Sequence, residues 1–370
     1  MLRQPTSVLL DSVRAISAQL VVVGHALGFA FLPNRYEYVG QSGIVLQAVG
    51  VILFFALSGF VIAYTAIQKI DRGRYGLTNF LVDRTARIYS GLLPSIVLIL
   101  ILDCLFGMYA PDAFVRYAAF FNGGTFLANL LQFQDYPPLF GVMLSPVIAT
   151  TFGTGIPLWS LAVEWWMYVF FGAVFLAWPL SFQGKAIAAG LLVLALPVVW
   201  ENAVGGRGGG LSIVWLVAAL LALAFDRIAS VFRRKTAAWG LLALVTLIAL
   251  DKTPIQLTGG YDLRLSVILL LTLFFGLMAA QATVWRVPDG VQSFARRLAG
   301  YSFTLYLTHY SIVVFIKFVV GLEGRALLLT SVIAANVVAA VLASFTGGRR
   351  FWVYQHSDGL ANAKRHGRTI

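Results

Sequence analysis

The sequence predicts an all-α protein, a polytopic transmembrane helix bundle of about ten spans with both termini cytoplasmic. Three observations carry that expectation. Of 370 residues, 59% are hydrophobic and only 11% are charged, with a mean hydropathy of +0.85. So much apolar surface cannot hide inside one or two water-soluble cores, and it needs lipid as solvent. Uncharged apolar runs such as Ile44 to Ile67, Ile88 to Leu102, Leu265 to Val284 and Leu327 to Phe345 approach the roughly 20 residues that cross a hydrocarbon layer. Finally, lysines and arginines divide unevenly between the two faces that such runs define.

Taken in order, the first span covers 9–31. Its apolar run begins at Val8, is far longer than the core of a signal peptide, and has no small-residue cleavage site after it, so it reads as a retained helix. Spans follow at 43–67 and 88–107, then a long outer segment, 108–157. Its apolar stretches are interrupted by Asn122, Gly123, Gly124, Pro137 and Pro138. It is expected either to re-enter the membrane and lid a site or to pack on the bundle as a plain loop. Further spans are expected at 158–178, 185–200, 211–226, 237–250, 263–283, 299–320 and 325–346, of which the fifth to seventh are short. With the N-terminus inside, 19 of the 27 lysines and arginines fall on the cytoplasmic side and 7 on the other, while Arg14 lies within the first span. The chain therefore divides into a membrane domain, 1–346, and a basic cytoplasmic tail, 347–370. The outer glycine-rich stretch Gly205 to Gly210, which carries Arg207, reads as a flexible connection, because no strand precedes it and no lysine follows where a phosphate cradle requires one.

The net charge of +12 marks topology and gives no reason to expect nucleic acid as a partner. The single cysteine, Cys104, excludes a disulfide framework within the chain and any multi-thiolate metal site, and is expected to pack in the core. No span carries a close-spaced histidine pair, so no metal is expected.

Ionisable side chains within spans cost a few kcal/mol on insertion scales, so each is a functional candidate. The main ones are Arg14, His25, Glu164 and His309, with Asp11, Asp103, Arg84, Arg87 and Lys317 nearer the edges. Eleven helical steps of about 100° bring Arg14 and His25 onto one stripe, ~16 Å apart. Glu164 and His25 each lie about six residues, ~9 Å, below the outer edge. A carboxylate at that depth is expected to orient the imidazole and raise its basicity, as general-base catalysis requires, although a buried pair that only joins helices fits the same spacing. Arg84 and Arg87 share a face at the start of the third span, where two guanidiniums suit a polyanion but also suit ordinary anchoring. For His309 a polar contact between helices competes with a chemical role.

Several segments resemble, in order, the acyltransferase 3 family of membrane acyltransferases. Leu10-Asp11-Ser12-Val13-Arg14-Ala15 leading to His25 is similar to the family's opening helix with its Arg-x10-His motif. Phe54-Phe55-Ala56-Leu57-Ser58-Gly59-Phe60, Arg84-Thr85-Ala86-Arg87-Ile88-Tyr89, Leu158-Trp159-Ser160-Leu161-Ala162-Val163-Glu164 and Tyr301-Ser302-Phe303-Thr304-Leu305-Tyr306-Leu307-Thr308-His309 resemble its later motifs. The chain departs from the pattern at Ser12, Ser90 and Trp165-Trp166, none of which removes an ionisable residue. The resemblance implies an acyl-CoA donor on the cytoplasmic side, a carbohydrate acceptor and a bacterial inner membrane, in a stand-alone form without an extra hydrolase-like domain. It casts acetyl-CoA as co-substrate, with no permanently bound cofactor. CoA phosphates would meet Arg84, Arg87 and Arg14, His25 would serve as base oriented by Glu164, and Ser58 or Tyr306 would donate to the oxyanion, with His309 also in the site. Partners are then acyl-CoA, the carbohydrate and membrane lipid, and self-association is compatible with such a bundle. A transporter or flippase of a polar solute, using the same buried residues, is the competing expectation.

Overall fold

The computed structural model describes residues 2–32, 45–73, 75–138, 150–232, 239–240, 242–246 and 261–366. Among these every regular element is helical: α1 (Gln4–Phe31), α2 (Val45–Asp71), α3 (Leu77–Tyr109), α4 (Pro111–Ala118), α5 (Gly123–Leu130), α6 (Leu158–Phe175), α7 (Phe182–Val204), α8 (Leu211–Phe232), α9 (Leu263–Ala282), α10 (Asp289–Phe315), a π-helical turn (Ile316–Val320) and α11 (Gly324–His366). Nine of the described helices, all but α4 and α5, are long and apolar enough to cross a membrane. Of the seventh expected span only 239–240 and 242–246 are described, all helical; its remainder, residues 43–44 of the second and 139–149 of the outer segment lie outside the described residues.

The helices are longer than the apolar runs that announce them. α7 and α8 have 23 and 22 residues, enough to cover about 33–35 Å at 1.5 Å per residue, so two of the three spans that looked short, the fifth and sixth, extend at their ends. Ser181 caps α7 by accepting from the Gly184 amide at 3.3 Å. α3 begins at Leu77, so Arg84 and Arg87 sit about two turns inside it, not at its mouth.

α1 is the hub of the bundle, packing on α2, α9, α10 and α11, while α2 also packs on α8 and α3 on both α6 and α10. Small residues permit the close crossings. A methyl group on Gly50 would meet the Ser17 carbonyl oxygen at 2.6 Å. One on Gly59 would overlap the Trp215 carbonyl of α8. Polar ties cross the same interfaces. Gln19 and Asn336 exchange amide hydrogen bonds of 2.6 and 3.1 Å, and the Tyr301 hydroxyl donates to Asn336 Oδ1 at 3.1 Å. On the outside, Leu329, Ile333, Val337 and Val341 recur every fourth residue along α11, all more than half exposed. That stripe is costly in water and costs nothing against hydrocarbon. Cys104 also faces outward. The expectation that it packs in the core fails, because in lipid an apolar thiol gains little from being covered.

The outer segment is built into the end of the bundle. Rings of Phe106, Phe114, Phe121, Phe152 and Phe126 pack in sequence with centroids 5.0–5.6 Å apart. Its buried amides are used: Asn129 donates to the Thr150 carbonyl at 2.7 Å and Gln134 to that of Leu158 at 2.9 Å, while the Trp166 indole donates to the Gln132 carbonyl at 2.8 Å. Asp103 of α3 accepts from the Thr154 amide at 2.9 Å and hydroxyl at 2.5 Å. The described part thus packs on the bundle through its rings and amides.

Candidate active site

A cavity of about 270 Å³ opens between α1, α2, α3, α6 and α10. Arg14, Ser58, Arg84, Arg87, Glu164 and Tyr306 all line it, six of the eight residues singled out in the sequence. Its remaining wall is largely apolar, including Phe54, Phe55, Val61, Leu161 and Phe303. His25 and His309 are not among the lining residues.

The arginines are held over aromatic faces. Arg84 Cζ lies 5.8 Å from the Phe80 ring and 6.0 Å from that of Tyr168, and Arg87 Cζ lies 4.8 Å from that of Phe303. Arg84 and Arg87 share a face because three residues separate them on α3. Among the described residues the ion pairs are Lys69–Asp83, Arg207–Asp135 and Lys317–Glu323, so neither Arg14 nor Arg84 has a carboxylate partner there.

Glu164 does not face His25 as its depth suggested. Its Oε1 accepts from the Ser58 hydroxyl at 2.8 Å and from the Tyr168 hydroxyl, while Ser58 Oγ accepts from the Trp215 indole at 3.1 Å. Equal depth fixes distance along the membrane normal but not direction around the helix axis, and α6 turns this carboxylate toward α2.

The neighbour of His25 is another imidazole. The His25 and His309 rings lie 5.2 Å apart, and the Tyr310 ring meets His25 edge-on at 5.1 Å. His309 Nδ1 is 2.7 Å from the Tyr306 carbonyl and 3.2 Å from that of Leu305. Both are acceptors, so Nδ1 carries hydrogen, and in the neutral ring Nε2 keeps its lone pair. That buried Nε2 has no hydrogen-bond partner among the described residues. Tyr306 stands between this pair and the cavity, its ring 6.0 Å from His309. Its hydroxyl is 2.6 Å from Ser160 Oγ, and because Ser160 donates its own hydrogen to the Pro157 carbonyl at 3.1 Å, Tyr306 is the donor between them.

Beyond Ser160 and Tyr306 lies a group that the sequence reading passed over. The glycine-rich turn is anchored, not a loose connection: Gly206 and Gly210 take φ of 63° and 91°, and the Tyr261 amide donates to the Gly209 carbonyl at 2.9 Å. Arg207 Nη1 pairs with Asp135 Oδ2 at 3.2 Å, and its Cζ lies 5.1 Å over the Trp159 ring. Burial pushes the Asp135 carboxyl above the usual carboxylate range, against the opposing pull of Arg207. Burial and the neighbouring Tyr306 phenol likewise raise Tyr261. Tyr168 was legible as one helical turn after Glu164, and Ser160 lies inside a recognised motif, whereas an arginine within a glycine run gave no such signal.

A family model described as an acyltransferase domain matches residues 8–346. An O-acetyl transferase of Shigella phage Sf6 is 28% identical over 107 residues, which is 29% of this chain and 29% of that protein, so the alignment spans under a third of either. No solved structure matches.

Proposed function

We propose, from the premise that the chain belongs to the acyltransferase 3 family, that it is an O-acyltransferase moving an acyl group onto a hydroxyl of a glycan or glycoconjugate. The acyl group is acetyl and the donor acetyl-CoA. Nine membrane-length helices among the described residues accord with an integral multi-pass membrane protein, which we assign to a bacterial inner membrane. The observation that carries the reading is the cavity itself. Three arginines gather there with an apolar wall and a Glu164–Ser58–Tyr168 cluster, and Tyr306 is the wall it shares with two paired histidines.

In this reading Arg14, Arg84 and Arg87 hold the CoA phosphates, since guanidiniums grip phosphate through several N–H donors at once. The apolar wall takes the pantetheine arm and excludes water. Glu164 fixes the Ser58 and Tyr168 hydroxyls along that wall. The thioester passes Tyr306 to reach His25. The acceptor oxygen attacks the thioester carbonyl and its proton moves to His25. The C–S bond then breaks, and the CoA thiolate takes that proton from the imidazolium. Tyr306, by turning its hydroxyl hydrogen from Ser160, donates to the developing oxyanion. His309, its ring 5.2 Å from that of His25, takes the place that depth had given Glu164, its Nε2 lone pair available to accept from the imidazolium once His25 has taken the proton.

Purified protein in liposomes, given labelled acetyl-CoA and a sugar acceptor, should transfer the label. His25→Ala should lower that rate by about 100-fold or more. An unchanged rate in a folded variant removes His25 as base. Solute flux across the vesicles without CoA release would favour transport instead. Arg84→Ala or Arg87→Ala should mainly raise the donor KM, and unaltered donor dependence would leave these residues as membrane anchors.

A further inference from the structure

The cavity arginines are taken up by one substrate in this reading, and the Arg207 group lies outside the cavity lining, against Trp159 next to Ser160. We infer that the Arg207–Asp135 pair, set over Trp159, is the acceptor-side subsite and recognises neighbouring hydroxyls of a sugar. This rests on the acyl-transfer reading and says where its second substrate is held.

Four features support the assignment. Position comes first: Arg207 lies over the ring of Trp159, the residue next to Ser160, whose hydroxyl is hydrogen-bonded to that of Tyr306 at the cavity wall. Chemistry comes second, because a guanidinium beside a carboxylate offers a donor and an acceptor side by side, which matches two adjacent hydroxyls, one accepting and one donating. Third is spare capacity. Among the described residues the pair shares a single hydrogen bond of 3.2 Å, leaving other guanidinium N–H groups and Asp135 Oδ1 for a ligand. Its side chains remain 32% and 29% exposed, so the pair is not sealed within the bundle. Fourth is rigidity. The turn that carries Arg207 packs on Trp159, where a methyl group on Gly208 would lie 3.0 Å from the indole, and it is tied to Tyr261 through the backbone. A fixed pair loses little freedom on binding.

The test compares wild type with Arg207→Lys, Arg207→Gln and Asp135→Asn in liposomes, using labelled acetyl-CoA and methyl glycosides of glucose, galactose, mannose and rhamnose as acceptor probes. Expected is an acceptor KM raised at least about tenfold in Arg207→Gln and Asp135→Asn, with a smaller rise in Arg207→Lys, while the donor KM stays within about twofold. Asp135→Asn is nearly isosteric and serves where Arg207→Gln is not recovered folded. The inference is overturned if acceptor KM is unchanged in any folded variant other than Arg207→Lys, if donor KM rises equally, or if every variant fails to fold, which would make the pair a structural tie. A wild type that binds CoA but acylates none of the glycosides overturns the subsite alone. One that neither binds CoA nor consumes acetyl-CoA overturns the acyl-transfer reading and this inference with it.

Discussion

His309 shows how a buried side chain sets its own chemistry. Two backbone carbonyls claim its Nδ1 hydrogen, so the lone pair on Nε2 is fixed by the helix that carries it. His309→Asn can keep a donor for those carbonyls but loses the acceptor. It should lower kcat by about tenfold or more with donor KM little changed, as expected when a base loses its orienting partner. Equal changes in kcat and stability would point to packing alone. For Glu164 the informative comparison is between two variants. Glu164→Gln still accepts from Ser58 and Tyr168, whereas Glu164→Ala leaves both hydroxyls without that acceptor, at about 1–3 kcal/mol for each buried group left unsatisfied. Thermal unfolding in detergent should therefore fall clearly for the alanine variant and little for glutamine. The identity of these residues was legible because an ionisable group within a span is expensive. Their pairing was not, since the azimuth of Glu164 toward Ser58 follows from how α6 packs and leaves no mark in spacing.

At the scale of elements, hydropathy located the spans but not their ends. The polar turns of α3 and α7 continue the helix after the apolar run stops, because backbone hydrogen bonding does not end where hydrocarbon does. This moved Arg84 and Arg87 from the mouth of α3 to its interior and into the cavity. Close crossings were equally silent. Gly59 lies in a motif whose residues suggested a site, yet its role is to let α2 touch the α8 backbone at Trp215. Gly59→Ala should destabilise the fold by about 1–3 kcal/mol, the usual cost of overpacking, and should disturb Ser58 beside it. An unfolding temperature and rate equal to wild type would show that α8 can step aside.

For the whole molecule, the membrane reading makes Cys104 a convenient reporter, since it is the chain's single cysteine and lies on the outside of the bundle. In intact membranes a lipid-soluble maleimide should label it and a charged, impermeant one should not. Labelling by both would place that face of α3 in water. Charge distribution predicts an orientation from sequence because insertion responds to lysine and arginine themselves. It could not reveal that the described part of the outer segment packs on the bundle, because amides buried in protein and amides facing water are written with the same letters.

The place of Tyr306 in the cavity wall has an electrical consequence. The arginine-lined cavity is walled in part by this phenol, whose hydroxyl is hydrogen-bonded to Ser160. Replacing it with glycine should open a path for protons and small ions, and vesicles carrying Tyr306→Gly should dissipate an imposed voltage that wild type and Tyr306→Phe sustain.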